Sequence, residues 1–241
     1  MKVTVVIPAF NEERNIAKTI EAILAQDYAD REVIVVDNAS SDRTAVVASK
    51  YPVKVVYEPE KGLLNARERG RLEATGELIA NIDADCLPEG DWLSRAVRSF
   101  GNDGVTAVTG PYDYYDGSPL FRRSSLATQK YVYGFMSKLL QSKPIRRGAV
   151  LIGGNNLIRA SVLEKAGGYT TAIKFYGEDT NTARIIAKYG RVLFDPDLAM
   201  KTSARRFQDE GTIHLMLKYW YHFFHQILRI DRSRHMPRQS P

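Results

Sequence analysis

Five short apolar runs, at residues 3–7, 33–36, 53–57, 78–82 and 105–109, alternate with longer stretches of helical spacing. That rhythm predicts a mostly parallel sheet with helices packed on its faces, because parallel strands need crossover connections and helices supply them. After the first run, Asn11 is placed to cap a helix in which Ile16, Ile20, Ile23 and Leu24 share one side. Asp42 opens a second helix through Ala48, residues 62–75 form a third, and 91–100 a fourth. With 44% hydrophobic residues in a chain of 241, a sizeable core can be buried, and disordered or collagen-like classes are excluded. A single Cys permits no internal disulfide, which suits a reducing compartment.

The net charge of +6 conceals an asymmetry. Residues 1–116 carry 13 Lys and Arg against 20 Asp and Glu, a balance of −7, whereas 117–241 carry 21 against 8, a balance of +13. The two parts are therefore expected to meet different partners, and a functional boundary falls near residue 116. Residues 117–152 contain no acid and seven basic residues, with Leu126, Tyr131, Val132, Phe135, Met136, Leu139 and Leu140 set as an amphipathic helix before a loop at 143–148. A second amphipathic stretch, 213–230, has an apolar and aromatic body crossed by a polar stripe of His214, Lys218, His222, His225 and Arg229, followed by Arg232, Arg234 and Arg238. Those charges argue against a bilayer span. They leave an anionic membrane surface, the catalytic domain or a second copy in a homodimer as the cover for this helix. The N-terminal MKVTVVIPAFNEE reads as a strand and not as a secretory signal, so the expected location is cytoplasmic, peripheral on the inner membrane face.

In open α/β sheets, ligands sit beyond the carboxyl ends of the strands. Asp83 and Asp85 follow the fourth run, and alternate positions on extended chain point the same way, so the pair can hold Mg²⁺ or Mn²⁺ together with substrate phosphates. A solvated Asp-rich turn is the competing structural reading. Asp37 ends the second run, where it can cap backbone donors or accept from a ribose or base. Glu178 and Asp179 precede another helical stretch, where they can complement a helix dipole or take a proton from an attacking hydroxyl. Cys86 reads as a small apolar filler.

Six segments occur in a telling order: VVIPAFNEE at 5–13, VVDNASSD at 35–42, Gly62 with Ala66-Arg67 and Gly70, GELIANIDAD at 76–85, GGNNLIRASVLEKAGGY at 153–169, and GEDTNTARIIAKYG at 177–190. In that order and spacing the chain resembles family 2 glycosyltransferases from Val3 to about Arg206. The resemblance implies a nucleotide-sugar-binding fold of GT-A type. It implies that Pro8, Phe10 and Glu12 border the nucleotide, that Asp37 accepts from the base, and that Arg67 lies near the ribose and diphosphate. Asp83 would contact the ribose side and Asp85 the metal bridging the phosphates. Asp179 would be the general base with Glu178 orienting the acceptor, Gly153, Gly154, Asn155 and Asn156 the floor of the acceptor site, and Arg205 part of a basic element over the diphosphate. Asn38-Ala39 and Glu68 depart from the family's usual Asp-Gly and Asn, which leaves donor base and sugar open.

The expected organisation is a GT-A domain over 1–210, with a nucleotide-sugar-binding part at 1–116 and an acceptor-binding part at 117–210, and an amphipathic helix and basic tail at 211–241. The expected activity is inverting transfer of a hexosyl or N-acetylhexosaminyl group from a nucleoside diphosphate to a hydroxyl of a sugar or lipid-linked acceptor in envelope polysaccharide synthesis. A polyprenol-phosphate sugar synthase and a non-catalytic nucleotide-sugar binder are the alternatives. Nucleic acid is not an expected partner, because the presumed cleft is acidic and the basic residues form no binding motif.

Overall fold

The computed structural model describes residues 1–143, 145, 148–173 and 176–228. Strand β1 (Val3–Ala9) lies wholly buried and pairs in parallel with β2 (Arg31–Asp37), reached through helix α1 (Ile16–Leu24). Helix α2 (Thr44–Ala48) leads to the edge strand β3 (Lys54–Tyr57), and α3 (Leu63–Glu73) returns to β4 (Leu78–Ile82) on the other side of β1. Ile16, Ile20 and Ile23 of α1 are buried against one face of the sheet with Val5, Ile7 and Val33, while Leu64 and Ala66 of α3 pack against Val6 and Ile34 on the other. Strands covered on both faces are apolar throughout, which is why they read as runs and not as alternating patterns. Asn11 does not cap α1. It has φ 54°, and its side-chain oxygen accepts from the Ser41 amide (2.8 Å), tying the β1 loop to the β2 loop, while Asn15 stands before the helix.

Helix α4 (Trp92–Arg98) crosses to β5 (Val105–Thr109), and β6 (Tyr112–Tyr114) follows a tight turn. The acid-free stretch forms α5 (Pro119–Thr128), a π-helical segment at Gln129–Tyr133 and α6 (Gly134–Gln141). Strand β7 (Asn155–Arg159) then enters the main sheet antiparallel, between β4 and β5. Helices α7 (Ala160–Lys165) and α8 (Glu178–Ile186) precede β8 (Arg191–Phe194), which pairs in parallel with β5. The sheet order is β3-β2-β1-β4-β7-β5-β8, so residues beyond 116 complete the sheet begun before it. A separate two-stranded sheet joins β6 to β9 (Met200–Thr202) and brings Thr202 and the following turn over the end of β4. Helices α9 (Arg205–Glu210) and α10 (Thr212–Leu228) close the described chain. Leu215, Gln226 and Ile227 of α10 are buried, and its Tyr219 meets Tyr176 beside α8 (ring centroids 5.7 Å apart). No helix among the described residues is long and apolar enough to cross a membrane. Pro144, Arg146 and Arg147 of the expected loop, and Arg229, Ile230, Arg232, Arg234 and Arg238 of the expected C-terminal stretch, lie outside the described residues.

Candidate active site

The ends of β1 and β4, the start of α3 and the turn before α8 surround a cleft of about 1090 Å³, large for a small-molecule site. At its floor Arg67 is buried on α3 (3% exposed), although a guanidinium there must be paired to be tolerated. Its Nη1 donates to Asp179 Oδ1 (2.8 Å) and its Nη2 to Asp83 Oδ1 (3.2 Å). Burial works against the charge on Arg67, but the two carboxylates outweigh it and raise its pKa. Arg67 thus bridges two carboxylates that lie 96 residues apart in sequence, Asp83 and Asp179. Asp83 Oδ2 also accepts from the Tyr112 hydroxyl (3.0 Å), which itself accepts from the Gly154 amide (2.9 Å).

Asp85 stands beside this bridge. Burial first, then the charges of Asp83 and Glu12, push its carboxyl up to about 6, with Arg205 opposing. A carboxyl raised in this way is one that a cation would stabilise, and its hard oxygens suit Mg²⁺ or Mn²⁺. Among the described residues no group of three His, Cys, Asp or Glu forms a metal site alone, so phosphate oxygens would have to complete the shell. Across the cleft mouth Arg205 Nη2 donates to Glu12 Oε1 (2.6 Å), and Glu12 Oε2 accepts from Asn15 (2.6 Å). Asp116 holds the turn before Arg205, accepting from Ser203 Oγ (2.6 Å) and the Ala204 amide (2.5 Å).

Glu178 and Asp179 begin α8 after Tyr176 and Gly177, both left-handed (φ 63° and 84°). The Asp179 side chain is 30% exposed to the cleft; burial raises its pKa, Arg67 pulls it down and Asp83 adds to the rise, leaving it raised overall. Glu178 is raised as well, by burial and then by Asp179, and its buried Oε2 has no hydrogen-bond partner among the described residues. The glycines opposite are required. A Cβ at Gly153 would overlap the Asp179 carboxylate and one at Gly154 the Asp83 carboxylate, so only bare backbone fits across the bridge.

Pro8, Phe10, Glu12, Arg67, Asp83, Asp85, Gly154, Glu178, Asp179 and Arg205 all line the cleft. Three expected residues do not. Asp37 is buried at the end of β2, its Oδ1 without a hydrogen-bond partner among the described residues, while its neighbour Asn38 forms the wall and fastens the loop to Gly62, accepting from the Gly62 amide (2.7 Å). Asn155 and Asn156, expected on the acceptor-site floor, do not line the cleft: both are buried and their amides are bonded inside the fold. Asn155 donates to the Pro111 and Leu198 carbonyls and accepts from the Trp92 indole (3.1 Å), and Asn156 donates to the Gly153 carbonyl (2.7 Å). Of the two departures from the family's usual residues, Glu68 has a structural role and Ala39 does not. Ala39 takes the left-handed φ of 55° that a glycine would hold without strain, and Glu68 accepts from Arg71 (2.6 Å) and from the Tyr169 amide (2.9 Å). Cys86 is fully buried in the core. Sequence reasoning missed Tyr112, Thr202 and Tyr176. Tyr112 follows a strand end closely enough for the same rule to have found it, whereas the others depend on β9 and α10 packing.

Residues 4–167 match the family Glycosyl transferase family 2, a match that ends before α8. A curated relative, glycosyltransferase AglE of Haloferax volcanii, is 30% identical over 175 residues, covering 68% of this chain and 55% of its own length. The dolichol-phosphate mannosyltransferase of Pyrococcus furiosus is 36% identical over 118 residues, 46% of this chain and 34% of its own. This chain therefore spans about half or less of these curated relatives. Among solved structures, the mannosyltransferase PcManGT from Pyrobaculum calidifontis, in complex with GDP-Man and Mn2+, superposes with a TM-score of 0.69 at 26% identity, covering 93% of this chain and 64% of that one.

Proposed function

The chain belongs to glycosyl transferase family 2 and has the GT-A fold, and on that premise we propose that it transfers a sugar from a nucleoside diphosphate to an acceptor hydroxyl with inversion, using a divalent metal. The observation that carries this reading is the convergence of Asp83, Asp85 and Asp179 on one cleft, with Arg67 spanning the first and third. A bound Mg²⁺ or Mn²⁺ would supply charge neutralisation for the departing diphosphate, and Asp85 with Asp83 would hold it. Asp179 takes the proton of the acceptor hydroxyl as its oxygen bonds to the anomeric carbon; the anomeric carbon–phosphate oxygen bond breaks and the nucleoside diphosphate leaves. The raised pKa of Asp179 makes it a better base than an ordinary aspartate. Glu178, whose buried Oε2 has no hydrogen-bond partner among the described residues, would accept from an acceptor hydroxyl.

Two cations, Arg67 and Arg205, flank the carboxylates and would offset charge that grows on the diphosphate. A phosphate acceptor is the second reading. It is favoured by the ion pair that already engages Asp179, since an anionic phosphate needs no base, and by the dolichol-phosphate mannosyltransferase relative.

Thermal melting with UDP, GDP, CDP and dTDP, each with and without Mn²⁺, tests the assignment, because a ligand bound only to the folded state raises the melting temperature. One nucleotide is expected to raise it only with metal, and Asp85→Ala is expected to abolish that dependence. An unchanged Mn²⁺ effect in Asp85→Ala would overturn the metal assignment.

A further inference from the structure

The cleft does not end at the carboxylates. Its far wall is aromatic: Tyr133 and Trp220 stand 6.1 Å apart edge to face, and Met136 and Phe223 lie beyond them. Met136 and Phe223 also line a second cavity, an apolar groove of about 480 Å³ between α6 and α10 completed by Leu140, Ile145, Phe224, Ile227 and Leu228. The two spaces thus adjoin across one shared pair of side chains. The outer end of the groove opens on an apolar stripe, where Phe224 is 46% and Leu228 60% exposed, and Ile213, Leu217 and Tyr221 continue it along α10.

We propose that this groove receives the apolar chain of the acceptor, whose reacting group sits at Glu178 and Asp179; the substrate is then an amphiphile, held by its head in the cleft and by its tail between α6 and α10. The inference rests on the transferase reading above. Adjacency to the cleft, with Met136 and Phe223 lining both spaces, favours an occupant that enters from the cleft over a protein partner docked on the outside. The charge pattern agrees with it. No Asp or Glu occurs in residues 117–152 or in α10, so the two helices that would hold the tail carry no acid, and Lys138 of α6 and Lys143 just after it are exposed. Apolar walls without polar groups discriminate poorly among chain structures but strongly by chain length, because affinity grows with each methylene removed from water.

Two isoprenoid phosphates with the same head, farnesyl phosphate with fifteen carbons and dimethylallyl phosphate with five, test this below their aggregation concentrations. Trp92 is buried in the core away from the cleft lining, so a ligand-induced change in tryptophan emission reports on Trp220 in the cleft wall. The longer phosphate is expected to change that emission with an affinity at least tenfold greater than the shorter. Leu228→Asp, at an exposed position that folding should tolerate, is expected to remove most of this difference while leaving the Mn²⁺-dependent nucleotide melting shift intact; Phe224→Asp serves as a second variant. Equal affinities for the two phosphates, with the nucleotide shift retained, would overturn the groove assignment alone. Loss of the nucleotide shift in the parent chain would overturn the transferase reading instead. A concentration-dependent dimer that Leu228→Asp dissolves would assign the groove to a second copy of this chain and likewise overturn the proposal.

Discussion

Arg67 sets the behaviour of the site at the level of single residues, because one buried guanidinium is shared by Asp83, proposed above for the metal side, and Asp179, proposed as the base. Replacing Asp179 by Asn keeps the shape and removes the basic oxygen, so transfer is expected to fall by about 10² to 10⁴ with nucleotide binding retained. Steady-state rates alongside calorimetric titration check this, and near-normal turnover would leave the phosphate-acceptor reading in place. Glu178 gives a pH signature. Its carboxyl stays protonated in the folded chain at pH values where the unfolded chain has already ionised it, so the folded state holds the extra proton and stability declines as pH climbs from the ordinary value of 4.5. Glu178→Gln cannot ionise. Its melting temperature is therefore expected to exceed that of the parent by more at pH 8 than at pH 5, measured by thermal denaturation at both; a constant difference would refute the shift. The carboxylates of this site were legible in the sequence because they stand at strand ends and at a helix start, positions that local pattern defines. The burial of Asn155 and Asn156 was not legible, for a physical reason: a buried amide that satisfies backbone carbonyls and an exposed one look alike until burial is known.

The strands and helices of the first 110 residues were readable for the same reason that they are stable, since each presents a period that matches its environment. Strand β7 was not. Its Asn-Asn-Leu-Ile-Arg has too short an apolar run to announce a strand, and only pairing with β4 and β5 on both sides fixes it. The π-helical segment at Gln129–Tyr133 was equally invisible: Gln129 there turns inward to donate to the Tyr112 carbonyl (3.0 Å) and to accept from the Tyr112 amide (2.9 Å). Leu157, at the centre of β7 and fully buried, is expected to cost about 2–5 kcal/mol when replaced by Ala, read from chemical denaturation. Gly70 is the counterpart on α3. A Cβ there would overlap Val6 of β1, so Gly70→Ala forces helix and strand apart and is expected to destabilise by about 1–3 kcal/mol, although alanine is the better helix former. A stabilised variant would show that α3 shifts freely on the sheet.

Across the whole molecule the charge is divided along the chain, with an acidic side built from residues 1–116 and a basic, acid-poor side contributed by residues 117–241. We expect the second side to meet an anionic membrane surface through α5, α6 and α10, where Leu120, Phe135 and Leu217 are exposed. Each Lys or Arg near such a surface is worth about 1 kcal/mol, so several must act together. Co-sedimentation with anionic vesicles is expected to exceed that with neutral ones and to weaken as salt rises; equal negligible binding to both would rule the membrane surface out. The charge asymmetry was readable from composition, whereas the closure of the cleft by α10 required the aromatic contacts of Tyr176 with Tyr219 and His222. The placement of β7 also bears on how the chain is made. On a ribosome, β4 emerges with one edge matched by β1 and the other bare until residues 155–159 have been synthesised, a wait of roughly 4–15 s at about 5–20 residues per second. During that interval Leu78, Ile79 and Ala80 offer open backbone to any passing strand, which makes the nascent chain a natural client for chaperones and slow translation across this stretch a hazard.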